Sequence, residues 1–89
     1  MKLISRVQVK NPMGLHTRPA AEIVKLLQRS KSHVSFSYKQ TTVNAKSILS
    51  ILMLAARRNS RTTITVEGID ADTTMDCLIH AFENKFGEI

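Results

Sequence analysis

His16 and Arg18 stand two residues apart inside the run Gly14-Leu15-His16-Thr17-Arg18-Pro19-Ala20-Ala21. Here an extended segment gives way to a helical pattern. A helix start offers unpaired backbone N–H groups and a partial positive charge, which suits a phosphate. An imidazole nitrogen attacks phosphorus only when neutral, and a nearby helix N-terminus disfavours imidazolium. His16 is therefore a candidate phosphoryl acceptor. Arg18 is suited to gripping two phosphate oxygens at once, and the backbone N–H groups of Thr17 and Arg18 are the candidate cradle. A guanidinium about 4 Å from a phosphate, in a partly screened site, contributes on the order of 4 kcal/mol before desolvation costs. If the histidine is also to hand its phosphate on, a shallow, exposed site with one arginine is favoured.

Most histidines near helix starts do no chemistry. His33 reads as a loop residue beside Ser30, Lys31 and Ser32, and His80 falls off the apolar stripe of the last helix. Both are expected to be exposed and passive. His16 differs in having glycine, arginine and proline at fixed places around it.

The elements that must position this run follow from periodicity. Residues 2–9 read as a strand, and Asn11-Pro12-Met13-Gly14 breaks it. In the following helix, Pro19 sits in the first turn, where a missing N–H costs nothing. Ala20, Ile23, Val24 and Leu27 form its apolar face. Val34, Phe36 and Tyr38 alternate with Ser35, Ser37 and Lys39, a half-buried strand. A short strand over residues 41–44 pairs with it through Lys39-Gln40, neither of which favours a tight hairpin. A helix over residues 46–56 is entered through Ser47, with Ile51, Leu54 and Ala55 on one face. Residues 61–67 form a strand, and Asp70 is expected to cap the last helix. Met75, Leu78, Ile79, Phe82 and Phe86 form that helix's buried stripe. The order β-α-β-β-α-β-α points to an α+β sheet with helices on one face and solvent on the other.

The 89 residues fit one domain, 1–89, whose size sustains a single core without staples. Cys77 is the only cysteine, so no internal disulfide is possible, which suits a reducing cytoplasm. No apolar run is long enough for a signal peptide or a membrane span. The expectation is a soluble, cytoplasmic protein with no metal and no cofactor. The net charge of +6 suits an anionic partner but does not choose one. The basic residues are dispersed, the longest run being Arg57-Arg58, and read as a solvated surface.

The stretch Gly14 to Ala21 resembles the active-site signature of the HPr family, the histidine phosphocarriers of the bacterial phosphotransferase system. Val43-Asn44-Ala45-Lys46-Ser47-Ile48 resembles the family's second signature, and Gly68-Ile69-Asp70 its third fixed point. The likeness covers essentially the whole chain. It implies an open-faced β-sandwich, a four-stranded antiparallel sheet covered by three helices. It implies that His16 carries the phosphate, on Nδ1, and that Arg18 contacts it. Enzyme I is the implied donor and an enzyme IIA domain the acceptor, which makes the protein a phosphoryl carrier rather than an enzyme; a monomer is the default for a carrier that must present its site to two partners in turn. The chain departs from the family at Ala56-Arg57-Arg58-Asn59-Ser60, where a glycine is usual. There Asn59 is expected to supply the left-handed residue.

The middle helix is apolar nearly all round, and in so small a domain some of Ile48, Leu49 and Leu52 must meet solvent. Exposed apolar clusters mark docking sites, and the resemblance places both partners on this helix and the first one. Lys25 and Arg29 would steer an acidic partner. Ser47 is a favoured N-cap, and in many Gram-positive relatives the corresponding serine is phosphorylated by an HPr kinase/phosphorylase. Two other readings compete. One is a regulatory or nitrogen-branch paralogue with the same phosphohistidine. The other is a small basic RNA-binding domain, but such domains stack bases on aromatics across the open sheet face. Phe36 and Tyr38 share a side with Val34 and are expected to face the core, so no nucleic-acid partner is expected.

Overall fold

The computed structural model describes residues 1–88. Its elements run β1 (Lys2–Gln8), α1 (Thr17–Leu27), β2 (His33–Tyr38), β3 (Thr41–Asn44), α2 (Ile48–Leu54), β4 (Arg61–Glu67) and α3 (Ala71–Glu83). A short 3-10 turn, Lys85–Gly87, follows. The strands form one antiparallel sheet in the order β1-β4-β2-β3.

Alternation decides which face is covered. Val34 and Phe36 on β2 lie opposite Val66 and Ile64 on β4, and all four are buried. Ala20, Ile23 and Leu27 of α1, Ile51 and Leu54 of α2, and Met75, Leu78 and Phe82 of α3 complete the core. Phe36 and Phe82 meet edge to face at 5.7 Å, a favoured aromatic geometry. The other face carries rows of mostly small polar residues: Ile4, Thr65, Ser35 and Asn44 in one, Arg6, Thr63, Ser37 and Thr42 in the next. These rows hold no Phe, Tyr or Trp for base stacking; the exposed His33, at the start of β2, is the aromatic ring on this face among the described residues.

Several boundaries differ from the expected ones. The middle helix is shorter than 46–56, because Ser47 is still extended and Ala55 turns left-handed at φ 56°. Ala55 is consequently exposed rather than part of the buried face. β1 ends at Gln8, and Val9 instead exchanges backbone hydrogen bonds with Ser60 and Asn59. His33 is not in a loop; it opens β2 opposite Glu67. Its side chain is exposed, as expected, and so is that of His80.

Asp70 makes no side-chain cap to α3. Its carboxylate instead accepts from the Lys31 backbone N–H at 2.9 Å and from the Ser32 hydroxyl, tying α3 to the α1–β2 connection. Those donors hold its carboxyl below the ordinary aspartate value. Phe86 lies outside α3, in a left-handed conformation, yet still packs on Phe82 at 4.8 Å. The hairpin turn places both Lys39 (φ 48°) and Gln40 (φ 65°) in the left-handed region, as a two-residue primed turn requires. Asn59 is left-handed as expected, at φ 69°.

Candidate functional site

The segment before α1 is strapped to the α2–β4 connection. Val9 N–H donates to Ser60 O at 2.8 Å, Asn59 N–H to Val9 O at 2.7 Å, and Leu15 N–H to Ala56 O at 3.0 Å. Gly14 sits against that connection at φ 67°, and a Cβ there would collide with the Ala56 carbonyl oxygen. Leu15 is buried beside it. His16 emerges next, as the N-cap of α1, with its side chain making no capping bond. The helical ladder begins with Ala20 N–H donating to His16 O at 3.0 Å. Pro19 has no N–H, so the first-turn donors ahead of that bond belong to Thr17 and Arg18. Both residues are exposed, as a shallow anion site requires.

The fold also delivers a group that the sequence did not announce. Nε2 of His16 lies 3.0 Å and 3.2 Å from the two carboxylate oxygens of Glu88. Glu88 in turn accepts from Nδ2 of Asn11, which also donates to Lys85 O at 2.9 Å. Asn11 is fully buried. Its hydrogen bond, then that of His16 and the charge of nearby Arg18, hold the Glu88 carboxyl below the ordinary glutamate value despite burial. Lys85, Phe86 and Gly87 are all left-handed, and this reversal carries Glu88 back over the start of α1.

A groove of about 600 Å³ runs beside His16, lined by Met13, Leu52 and Ala55 among others, with Arg57 and Arg58 at its rim. The arginine pair is exposed, as expected of a solvated surface, but it stands next to the candidate phosphate site.

On α2, Leu49 is 67% and Ile48 39% exposed, while Leu52 packs partly against the core. Met53, 72% exposed, extends the patch and was absent from the expected surface. Helical periodicity places it four residues from Leu49, so the signal was present in the sequence. Lys25 and Arg29, on and just after α1, are exposed. Ser47 caps α2, its hydroxyl oxygen accepting from Ser50 N–H at 3.3 Å. Among the described residues, no group of three or more metal-ligating side chains comes together. No described helix is long and apolar enough to cross a membrane.

Comparison with known proteins shows the family and the fold. A family model described as "PTS HPr component phosphorylation site" matches residues 4–84. Phosphocarrier protein HPr of Chlamydia muridarum (strain MoPn / Nigg) is 42% identical over 81 residues, spanning 91% of this chain and 78% of that protein. The crystal structure of HPr-C-His from Thermoanaerobacter tengcongensis aligns with a TM-score of 0.93 at 32% identity, covering 98% of each chain. That of a phosphocarrier protein HPr from Bacillus anthracis str. Ames gives 0.84 at 39% identity, covering 89% of this chain and 94% of the other. The fold is the open-faced α+β sandwich of these structures. The chain belongs to the HPr family, the phosphocarriers of the phosphotransferase system. Phosphohistidine chemistry and a link to sugar transport follow from that membership.

Proposed function

We propose that the chain, acting as one domain and as a monomer, takes a phosphoryl group from phospho-enzyme I onto Nδ1 of His16 and passes it to an enzyme IIA domain. The Nδ1 lone pair forms the N–P bond while the bond from phosphorus to the donor breaks. Arg18 and the N–H groups of Thr17 and Arg18 hold the phosphate oxygens. The protein is a carrier and not an enzyme, and it works in the cytoplasm. The observation that carries this reading is an uncapped histidine side chain at the N-cap of α1, with Arg18 two residues on.

Ile48, Leu49 and Leu52, with Lys25 and Arg29, form the docking surface used in turn by both partners. Phosphorylation of Ser47 by an HPr kinase/phosphorylase would add about two negative charges beside this patch and hinder docking, while the α2 dipole tolerates them. The transfer is tested by charging the protein with phosphate, removing the donor, and adding an enzyme IIA domain. Loss of label from the carrier with equal gain by the acceptor supports the relay; label that stays on the carrier contradicts it. Incubation with kinase and ATP, followed by mass mapping, decides whether Ser47 is a substrate.

A further inference from the structure

We propose that Glu88 and Asn11 are positioning residues that keep the proton of neutral His16 on Nε2 and so leave Nδ1 as the atom that accepts the phosphoryl group. The inference deepens the phosphocarrier reading above and explains, from this chain's own residues, why one ring nitrogen reacts.

The chemistry of the contact fixes the direction of the hydrogen bond. An ionised carboxylate can only accept. Its two oxygens stand 3.0 Å and 3.2 Å from Nε2, so Nε2 carries the proton. In a neutral imidazole the other nitrogen then holds the lone pair. A carboxylate that fixes the tautomer and orientation of a reacting histidine is a recurrent device.

Glu88 is itself held. The buried Asn11 amide directs Nδ2 at both the Glu88 carboxylate and Lys85 O. Its own Oδ1 is left buried without a hydrogen-bond partner among the described residues. Such an orphaned acceptor is destabilising, so the amide is committed to orienting the C-terminal segment at a cost to the core. The N–P bond then forms at Nδ1, the donor leaves with its bonding pair, and the Nε2 proton stays in place, still donated to Glu88.

Potassium phosphoramidate tests this without any partner protein. Its P–N bond breaks as ammonia leaves, and phosphorus NMR distinguishes the two phosphohistidine isomers. The wild-type protein is expected to label mainly at Nδ1. Glu88→Ala should lower the ratio of Nδ1 to Nε2 product about tenfold, the loss of one charge-assisted hydrogen bond. Glu88→Gln, which keeps an acceptor oxygen, should restore most of the preference. Circular dichroism confirms that each variant is folded. Labelling of the wild type mainly at Nε2, an unchanged ratio in Glu88→Ala, or a Gln variant no better than Ala would each overturn the proposal. A protein that shows this isomer pattern yet takes no phosphate from enzyme I would contradict the carrier role and leave the positioning role standing.

Discussion

The carboxylate of Glu88 alters what Arg18 has to do. On the proposed reading, a phosphate on His16 would bring roughly two negative charges close to Glu88, and Arg18 and the α1 N–H groups would then act against that carboxylate as well as for the phosphate. The two side chains set opposite contributions, which suits a carrier that must give its phosphate away. Arg18 is exposed, so once solvent screening and desolvation are counted its interaction is worth less than the gross figure of about 4 kcal/mol. Arg18→Ala should slow phosphoryl transfer from phospho-enzyme I by roughly tenfold to a hundredfold, and Arg18→Lys should recover part of the loss. Rapid-quench kinetics measure this; a rate within twofold of wild type would remove Arg18 from the site. The residue pair His16 and Arg18 was legible because their types and spacing stand in eight consecutive residues. Glu88 was not legible, because it lies 72 residues from His16 and reaches it only through three successive left-handed residues. Only one of those three, Gly87, is of a type that favours that conformation.

At the scale of elements, the order and type of the four strands and three α-helices were legible: a period of two marked β2 and a period of 3.6 marked α1 and α3, because burial on one face imposes them, while the 3-10 turn Lys85–Gly87 was read as part of α3. The ends of elements did not follow. Ala55 stops α2 by turning left-handed without being glycine, and Lys39-Gln40 does the same between β2 and β3. Tertiary closure, not local preference, holds these residues there. Gly14 is the opposite case, since its close approach to Ala56 permits no side chain. Gly14→Ala should destabilise the fold by about 1–3 kcal/mol, read by urea denaturation, and a loss under 0.5 kcal/mol would show that the strap yields easily. Asp70 gives a pH prediction. Its carboxyl is lowered in the folded state, first by the Lys31 N–H and then by Ser32. The stability this contributes is fully present above the ordinary aspartate value of 3.8 and is lost as pH falls through the lower folded value. Asp70→Asn should therefore be less stable than wild type at neutral pH, with the gap closing in acid. A gap that does not narrow between pH 6 and pH 2 would contradict the linkage.

The whole molecule divides its labour between two surfaces. The outer sheet face is mostly small and polar, with Ile4 and Arg6 among its larger side chains, while α1, α2 and the strapped connection gather His16, the apolar patch and the arginines on one side. Leu49→Asp should leave thermal unfolding within a few degrees of wild type and slow transfer from enzyme I severalfold, because an exposed patch contributes to docking rather than to the core. Unchanged kinetics would take Leu49 out of the interface. With a net charge of +6, transfer should also slow as ionic strength rises from about 0.01 M to about 0.15 M, where the screening length falls from roughly 30 Å to 8 Å. The most direct test of the central claim follows phosphate from labelled phosphoenolpyruvate through purified enzyme I to this protein and to His16→Ala. Acid-labile, alkali-stable label on the wild type and none on the folded variant is the predicted result. Equal labelling of both proteins, or no label on the wild type with several enzymes I, would contradict a phosphoryl carrier at His16.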